Sequence, residues 1–180
     1  MTDRERFRPT AEGEARLLCL IDGFSRVGQE PRRSLEGRVK LAKLDFLLRY
    51  PEYLQRILDT RGAPEAQVEA ATIERNPIEQ RMVRYRYGPW DPAYYALLGR
   101  LVGKGLVEVV PLPGKAGFGY RTTELGQRAA ASLLNDESWS EIGRRITLLR
   151  RHLDLTGESL KTMVYSQIPE VSSASWNQAL

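Results

Sequence analysis

The stretch from Arg81 to Ser132 constrains this chain most, because its residue types fix a helix, a strand, a loop, a strand and a second helix in that order. Asp91 is a good N-cap and Pro92 a good first helical residue, since the N–H that proline lacks would be unpaired there in any case. Tyr94, Leu97, Leu98, Leu101 and Val102 recur at three- and four-residue steps and so share one helix face. Gly103 and Gly105 suit the helix C-terminus, where a positive φ costs glycine little. Leu106 to Leu112 is a β-branched run bounded by Pro111, Pro113 and Gly114. Lys115 to Gly119 reads as a glycine-rich loop tip and Tyr120 to Thr122 as the return strand. Thr123 and Glu124 then open a helix through Leu125, Ala129, Leu133 and Leu134.

The segments on either side are helical in pattern. Thr10 caps a helix from Ala11 with a stripe of Leu17, Leu18, Ile21 and Phe24, closed by Gly28. Ser34 caps the next, in which Val39, Leu41, Leu44, Phe46, Leu47 and Leu48 are too many for a narrow stripe, so this helix belongs in the core. Lys40, Lys43 and Arg49 lie among them and must reach solvent or a partner. Asp45 and Arg49 have the spacing of an i,i+4 pair; a buried carboxylate acting as general base is the sharper alternative. Pro51 sets a boundary at Tyr50 and starts a helix through Tyr53, Leu54, Ile57 and Leu58. Arg61 to Asn76 reads as a connector with a partly helical middle, Glu79 to Tyr87 as a strand or extended lead-in, and Gly88-Pro89-Trp90 as a turn into the central helix. Downstream, Ile142, Ile146, Leu149 and Leu153 share a helix face, with Arg144, Arg145, Arg150 and Arg151 elsewhere. Thr156 caps a short helix with Leu160, Met163 and Val164, and Pro169 to Leu180 is a serine-rich tail expected to order only against something else.

The fold class that follows is mainly α with a small β-ribbon. A winged helix-turn-helix core over residues 34–134 is expected, between an N-terminal arm and helix (1–33) and a C-terminal helical extension and tail (135–180).

Several kinds of chemistry lack their residues. With one cysteine there is no intramolecular disulfide, and Cys19 sits in an apolar run as a small hydrophobe. One histidine and one cysteine leave the usual zinc sites short of ligands. His152 lies between arginine and leucine on a helix and reads as a solvent-facing residue. Pro113 to Gly117 lacks phosphate-loop spacing. Neither a catalytic constellation, a cofactor nor a metal is expected. The charged N-terminus and the absence of an apolar run near the roughly 20 residues that span a bilayer point to a cytoplasmic protein without membrane contact.

The remaining signal is basic and aromatic. The formal net charge of +4 permits a polyanionic partner without requiring one. In a DNA-binding reading, Arg100 and Lys104 face the duplex from the central helix, Lys115 meets phosphate from the loop tip, and Arg84, Arg86 and Arg121 add to the same surface. In an adhesion reading, Tyr85, Tyr87, Trp90, Tyr94 and Tyr95 anchor a protein partner, tyrosine and arginine being favoured at interfaces. The central helix weighs against base readout, since Ala96, Leu97, Leu98, Gly99, Leu101, Val102 and Gly103 leave it few long polar side chains.

At Lys43 to Tyr53, KLDFLLRYPEY, and Val83 to Val107, VRYRYGPWDPAYYALLGRLVGKGLV, the chain resembles a known family. It is similar to the winged-helix middle component of bacterial ABC-three-component conflict systems, the Lamassu-type anti-phage and anti-plasmid systems among them. The resemblance spans about Ser34 to Leu134 and rests on RYGPWD followed by an apolar helix and KGLV. It implies a non-enzymatic, kleisin-like subunit that bridges the heads of an SMC-like ABC ATPase dimer and restrains an effector, often a nuclease. Double-stranded DNA would be met through the complex, a hetero-oligomer. A stand-alone winged-helix transcription regulator, binding as a homodimer, is the competing expectation.

Overall fold

The computed structural model describes residues 8–25, 33–63, 68, 82–85, 88–178 and 180. The arm before Arg8, the close of the first helix at Gly28, most of the connector after Arg61, and Arg86 and Tyr87 lie outside the described residues.

The described chain is mainly helical, with two small antiparallel sheets. Helix α1 (Ala11–Ser25) is followed by a short strand β1 (Leu35–Glu36), then α2 (Gly37–Arg49) and α3 (Pro51–Thr60). A hairpin of β2 (Val83–Tyr85) and β3 (Gly88–Trp90) leads into α4 (Tyr94–Gly103). Strands β4 (Val107–Pro111) and β5 (Phe118–Thr122) precede α5 (Glu124–Leu134), and a 3-10 turn at Glu137–Trp139 leads into α6 (Ser140–Leu153). Helices α7 (Gly157–Gln167) and α8 (Pro169–Ser173) complete the fold.

Side-chain oxygens start three helices where their residue types predict. Thr10 accepts from the Gly13 amide at 3.0 Å, Thr123 from Gly126 at 3.1 Å and Thr156 from Ser159 at 3.1 Å. Ser34 does not cap α2. It precedes β1, which pairs with β5 through Leu35 opposite Tyr120, so the larger sheet has the order β1-β5-β4. Two residues give too short a run for periodicity to announce a strand. Strand β5 starts at Phe118, opposite Pro111, and the loop tip is correspondingly shorter than expected. Gly88-Pro89-Trp90 is a strand facing Val83–Tyr85, and the turn into α4 comes after it.

One core takes residues from all three expected segments, from Leu17 in α1 through Leu44 in α2 to Val171 in α8. Helix α1 is buried on every side from Leu17 to Ile21, more than the expected stripe. It packs on α4, α5, α6 and β5, while α2 packs on α3, α6, α7 and β3. A helix buried all round has neighbours all round, and α6 and α7 supply those that a smaller domain would lack. Arg145 belongs to this buried face: it follows Ile142 by three residues and donates to the Leu48 carbonyl at 2.6 Å. Val102 is the reverse case, half-exposed because it lies about 80° round the helix from Tyr94.

The C-terminal segment is ordered against this chain itself. Val171 is buried, the Arg84 amide donates to the Gln178 carbonyl at 2.9 Å, and the Leu180 amide donates to Met82 at 2.9 Å. The Tyr50 hydroxyl reaches the Leu180 carbonyl at 3.1 Å. The segment thus covers the outer edge of β2, whose unpaired backbone groups would otherwise recruit another strand.

Candidate functional site

The site is built on a buried ionic network. Asp45 is fully buried on α2. Its carboxylate accepts from Arg16 of α1 at 2.7 Å, from Arg49 one turn on at 2.9 Å and from the Tyr94 hydroxyl of α4 at 2.7 Å. Arg49 also donates to Asp91 at 2.6 Å, and Asp91 accepts from the Ala93 amide at 2.7 Å. Asp91 therefore turns the chain from β3 into α4, although the helix proper starts at Tyr94, later than the proline suggests. Two arginines balance two carboxylates, which is the condition for keeping charge inside a protein.

Burial pushes the Asp45 carboxyl upward, and the charges of Arg16 and Arg49 with hydrogen bonds from Arg16 and Tyr94 outweigh it, holding the pKa at about 2. A carboxylate held ionised by two guanidinium groups is a poor general base. Burial in the same network drives the Tyr94 hydroxyl well above its usual range. These groups are structural ties between α1, α2 and α4.

Trp90 stands on this network. Its ring meets Tyr94 edge-on at 5.1 Å and lies 5.9 Å from Tyr95 and 5.8 Å from Tyr85. Tyr85 is 46 % exposed and Tyr95 61 % exposed. Together with Arg38, Lys43 and Pro89 these three aromatics line a cavity of about 320 Å³. The Arg38 guanidinium lies 4.9 Å from the Tyr95 ring centre and 5.4 Å from that of Phe118. Lys43 is only 1 % exposed, and its amine reaches the Val39 carbonyl at a long 3.4 Å. Burial, then the charge of Lys161, lowers its pKa to about 8, with Glu158 acting in the opposite sense.

The aromatic candidates are brought together in part. Tyr85, Trp90 and Tyr95 share one concave surface, whereas Tyr94 is fully buried and offers nothing to a partner. Its place on the apolar face of α4, which the spacing already gives, is the reason. Four of the six basic candidates are bonded to groups of this chain. Arg100 donates to the Pro9 carbonyl at 3.1 Å and Lys104 pairs with Glu14 of α1. Lys115 pairs with Glu36 at 2.9 Å and Arg121 with Glu108 at 2.6 Å. Arg84 is half-buried, with a buried Nε that has no hydrogen-bond partner among the described residues.

Arg38 and Lys43 were not marked as site residues by the sequence. The available signal was a lysine among leucines on α2, which demands an outlet; the three aromatics around it come from distant positions. His152 is half-buried on α6. Among the described residues, no cluster of histidine, cysteine, aspartate and glutamate could hold a metal ion, and no helix is long and apolar enough to cross a membrane.

No protein-family profile, curated protein or solved structure matches this chain.

Proposed function

We propose that this chain is a winged-helix, kleisin-like subunit without chemistry of its own, which bridges an SMC-like ABC ATPase dimer in a cytoplasmic defence complex and restrains an effector, a nuclease in the simplest form. The order α1-β1-α2-α4-β4-β5, with strands arranged β1-β5-β4, supports a winged-helix reading, with α3 and the β2–β3 hairpin inserted between its second and third helices. The observation that carries adhesion over DNA readout is the contrast between two surfaces. Tyr85, Trp90 and Tyr95 gather, partly exposed, around one cavity, while Arg100, Lys104, Lys115 and Arg121 are each bonded to groups of this chain. A side chain already bonded within the chain gains less from a phosphate, by up to about 1 kcal/mol for each exposed ion pair.

The test is fluorescence anisotropy of the purified chain with duplex DNA over a salt series. The bridging reading expects weak binding, indifferent to sequence and gone at physiological ionic strength. A homodimer that grips a defined palindrome tightly under those conditions would establish the transcription regulator instead.

A further inference from the structure

The groove beside α2 has a composition that selects its occupant. Among the described residues, its walls carry two cations, Arg38 and Lys43, and no carboxylate. Its apolar surface is aromatic, from Tyr85, Trp90 and Tyr95, and continues past the cavity: Arg38 is flanked by Tyr95 and Phe118, and Val39 and Phe118 are both partly exposed. A volume of about 320 Å³ holds one or two side chains and lies at the small end for ligand pockets. An apolar strip extending beyond such a cavity suits a chain better than a compact metabolite.

Lys43 is the informative residue. A buried ammonium with one long hydrogen bond weakens the fold that contains it, and methionine would fill the same space without that charge. Glu158 and Lys161 of α7 both act on its titration in opposite senses, and they pair with each other at 3.2 Å. Lys43 thus sets a buried, sparsely bonded charge behind the wall of an aromatic cavity, while Arg38 on the same wall is partly exposed.

We propose that this groove binds an extended acidic segment of a partner protein, with a carboxylate paired to Arg38 within the field of the buried Lys43 and a neighbouring apolar side chain packed on Tyr85, Trp90 and Tyr95. The partner's being a protein rests on the bridging reading; the acidic, apolar character of the segment follows from the groove. Single-stranded nucleic acid also pairs cations with aromatic rings, but it needs a basic track along successive phosphates, and two cations at one cavity do not make one.

The probe is a fluorescein-labelled peptide, Glu-Glu-Pro-Phe-Glu-Glu, compared with its glutamine counterpart on the full chain by anisotropy. The glutamate peptide is expected to bind about tenfold more tightly, the size of one charge-assisted hydrogen bond. Arg38→Gln should abolish that preference and Lys43→Met should reduce it, and Tyr95→Ala, at an exposed position, should weaken both peptides. Arg151→Gln, an exposed cation on α6, should change neither. Thermal melts identify any variant that has lost its fold, and Arg38→Gln and Tyr95→Ala carry the test if Lys43→Met is one. Equal affinity for the two peptides, no binding at millimolar peptide, an unchanged preference in folded Lys43→Met and Arg38→Gln, or displacement of the peptide by oligothymidylate at equal concentration would each overturn the proposal. Selective peptide binding by a chain that joins no ATPase would uphold the groove and remove the bridging role. A complex formed by a chain blind to the glutamates would do the opposite.

Discussion

Asp45 and Lys43 lie two positions apart on α2 and show opposite fates of buried charge. Asp45 has two guanidinium groups and a hydroxyl on its oxygens, so its folded pKa of about 2 lies below the ordinary 3.8. Its stabilisation is fully present above pH 4 and is lost as the pH falls through about 2. Asp45→Asn leaves Arg16 and Arg49 buried beside a neutral amide and should cost about 3–5 kcal/mol in urea denaturation at neutral pH. The part of the acid sensitivity between about pH 4 and pH 2 should vanish with it. Lys43 has its pKa lowered from 10.5 to about 8, so the folded chain releases its proton first. Stability should therefore rise with pH between about 8 and 9, the window in which the unfolded chain binds more protons; above it the buried Cys19 thiol, pushed from 9.0 up to about 12, acts in the opposite sense. Lys43→Met should stabilise the chain by about 1–3 kcal/mol at neutral pH and flatten that rise. The Asp45–Arg49 pair is legible in the sequence because its spacing is local. Arg16 and Asp91 are not, because their distance from Asp45 along the chain is set by tertiary packing alone.

Among the elements, the hairpin β4–β5 and its flanking helices follow the sequence closely, and the reason is local chemistry. Gly105 takes φ +68° at the end of α4, and the Thr123 hydroxyl bonds the Gly105 carbonyl at 2.6 Å as it starts α5. Gly126, in the first turn of α5, lies against the Leu106 backbone so closely that a Cβ there would collide with its carbonyl oxygen. Gly126→Ala should cost about 2–4 kcal/mol, well beyond the small gain alanine brings to an exposed helix position, as measured by chemical denaturation. The pattern Thr123 to Gly126 is thus a contact between strand and helix. Elements defined by distant partners were hidden. Strand β1 exists because β5 is beside it, and the C-terminal segment is ordered because β2 offers it an edge. Composition marked that segment as a tail, since serine-rich stretches bury too little to order by themselves.

At the scale of the molecule, the helical pattern was readable because α1, α3, α4, α5 and α7 carry apolar periods and proline or threonine boundaries. The single core uniting the three expected segments was not, because periodicity says which face is apolar and not what covers it. The groove was half visible: its aromatics stood out as interface residues, while the cations that give it a preference sit within the run of α2 that composition assigns to the core. In the proposed role, this chain works by adhesion through that groove. Its most direct test is light scattering on the purified chain mixed with an SMC-like ABC ATPase of the kind the proposed bridging role requires, for the native sequence and for a Tyr85→Ala, Tyr95→Ala variant. The account predicts a stable complex with the native chain and separate components with the variant, both chains melting alike. A native chain that ignores the ATPase and instead forms a homodimer on a defined duplex would contradict it.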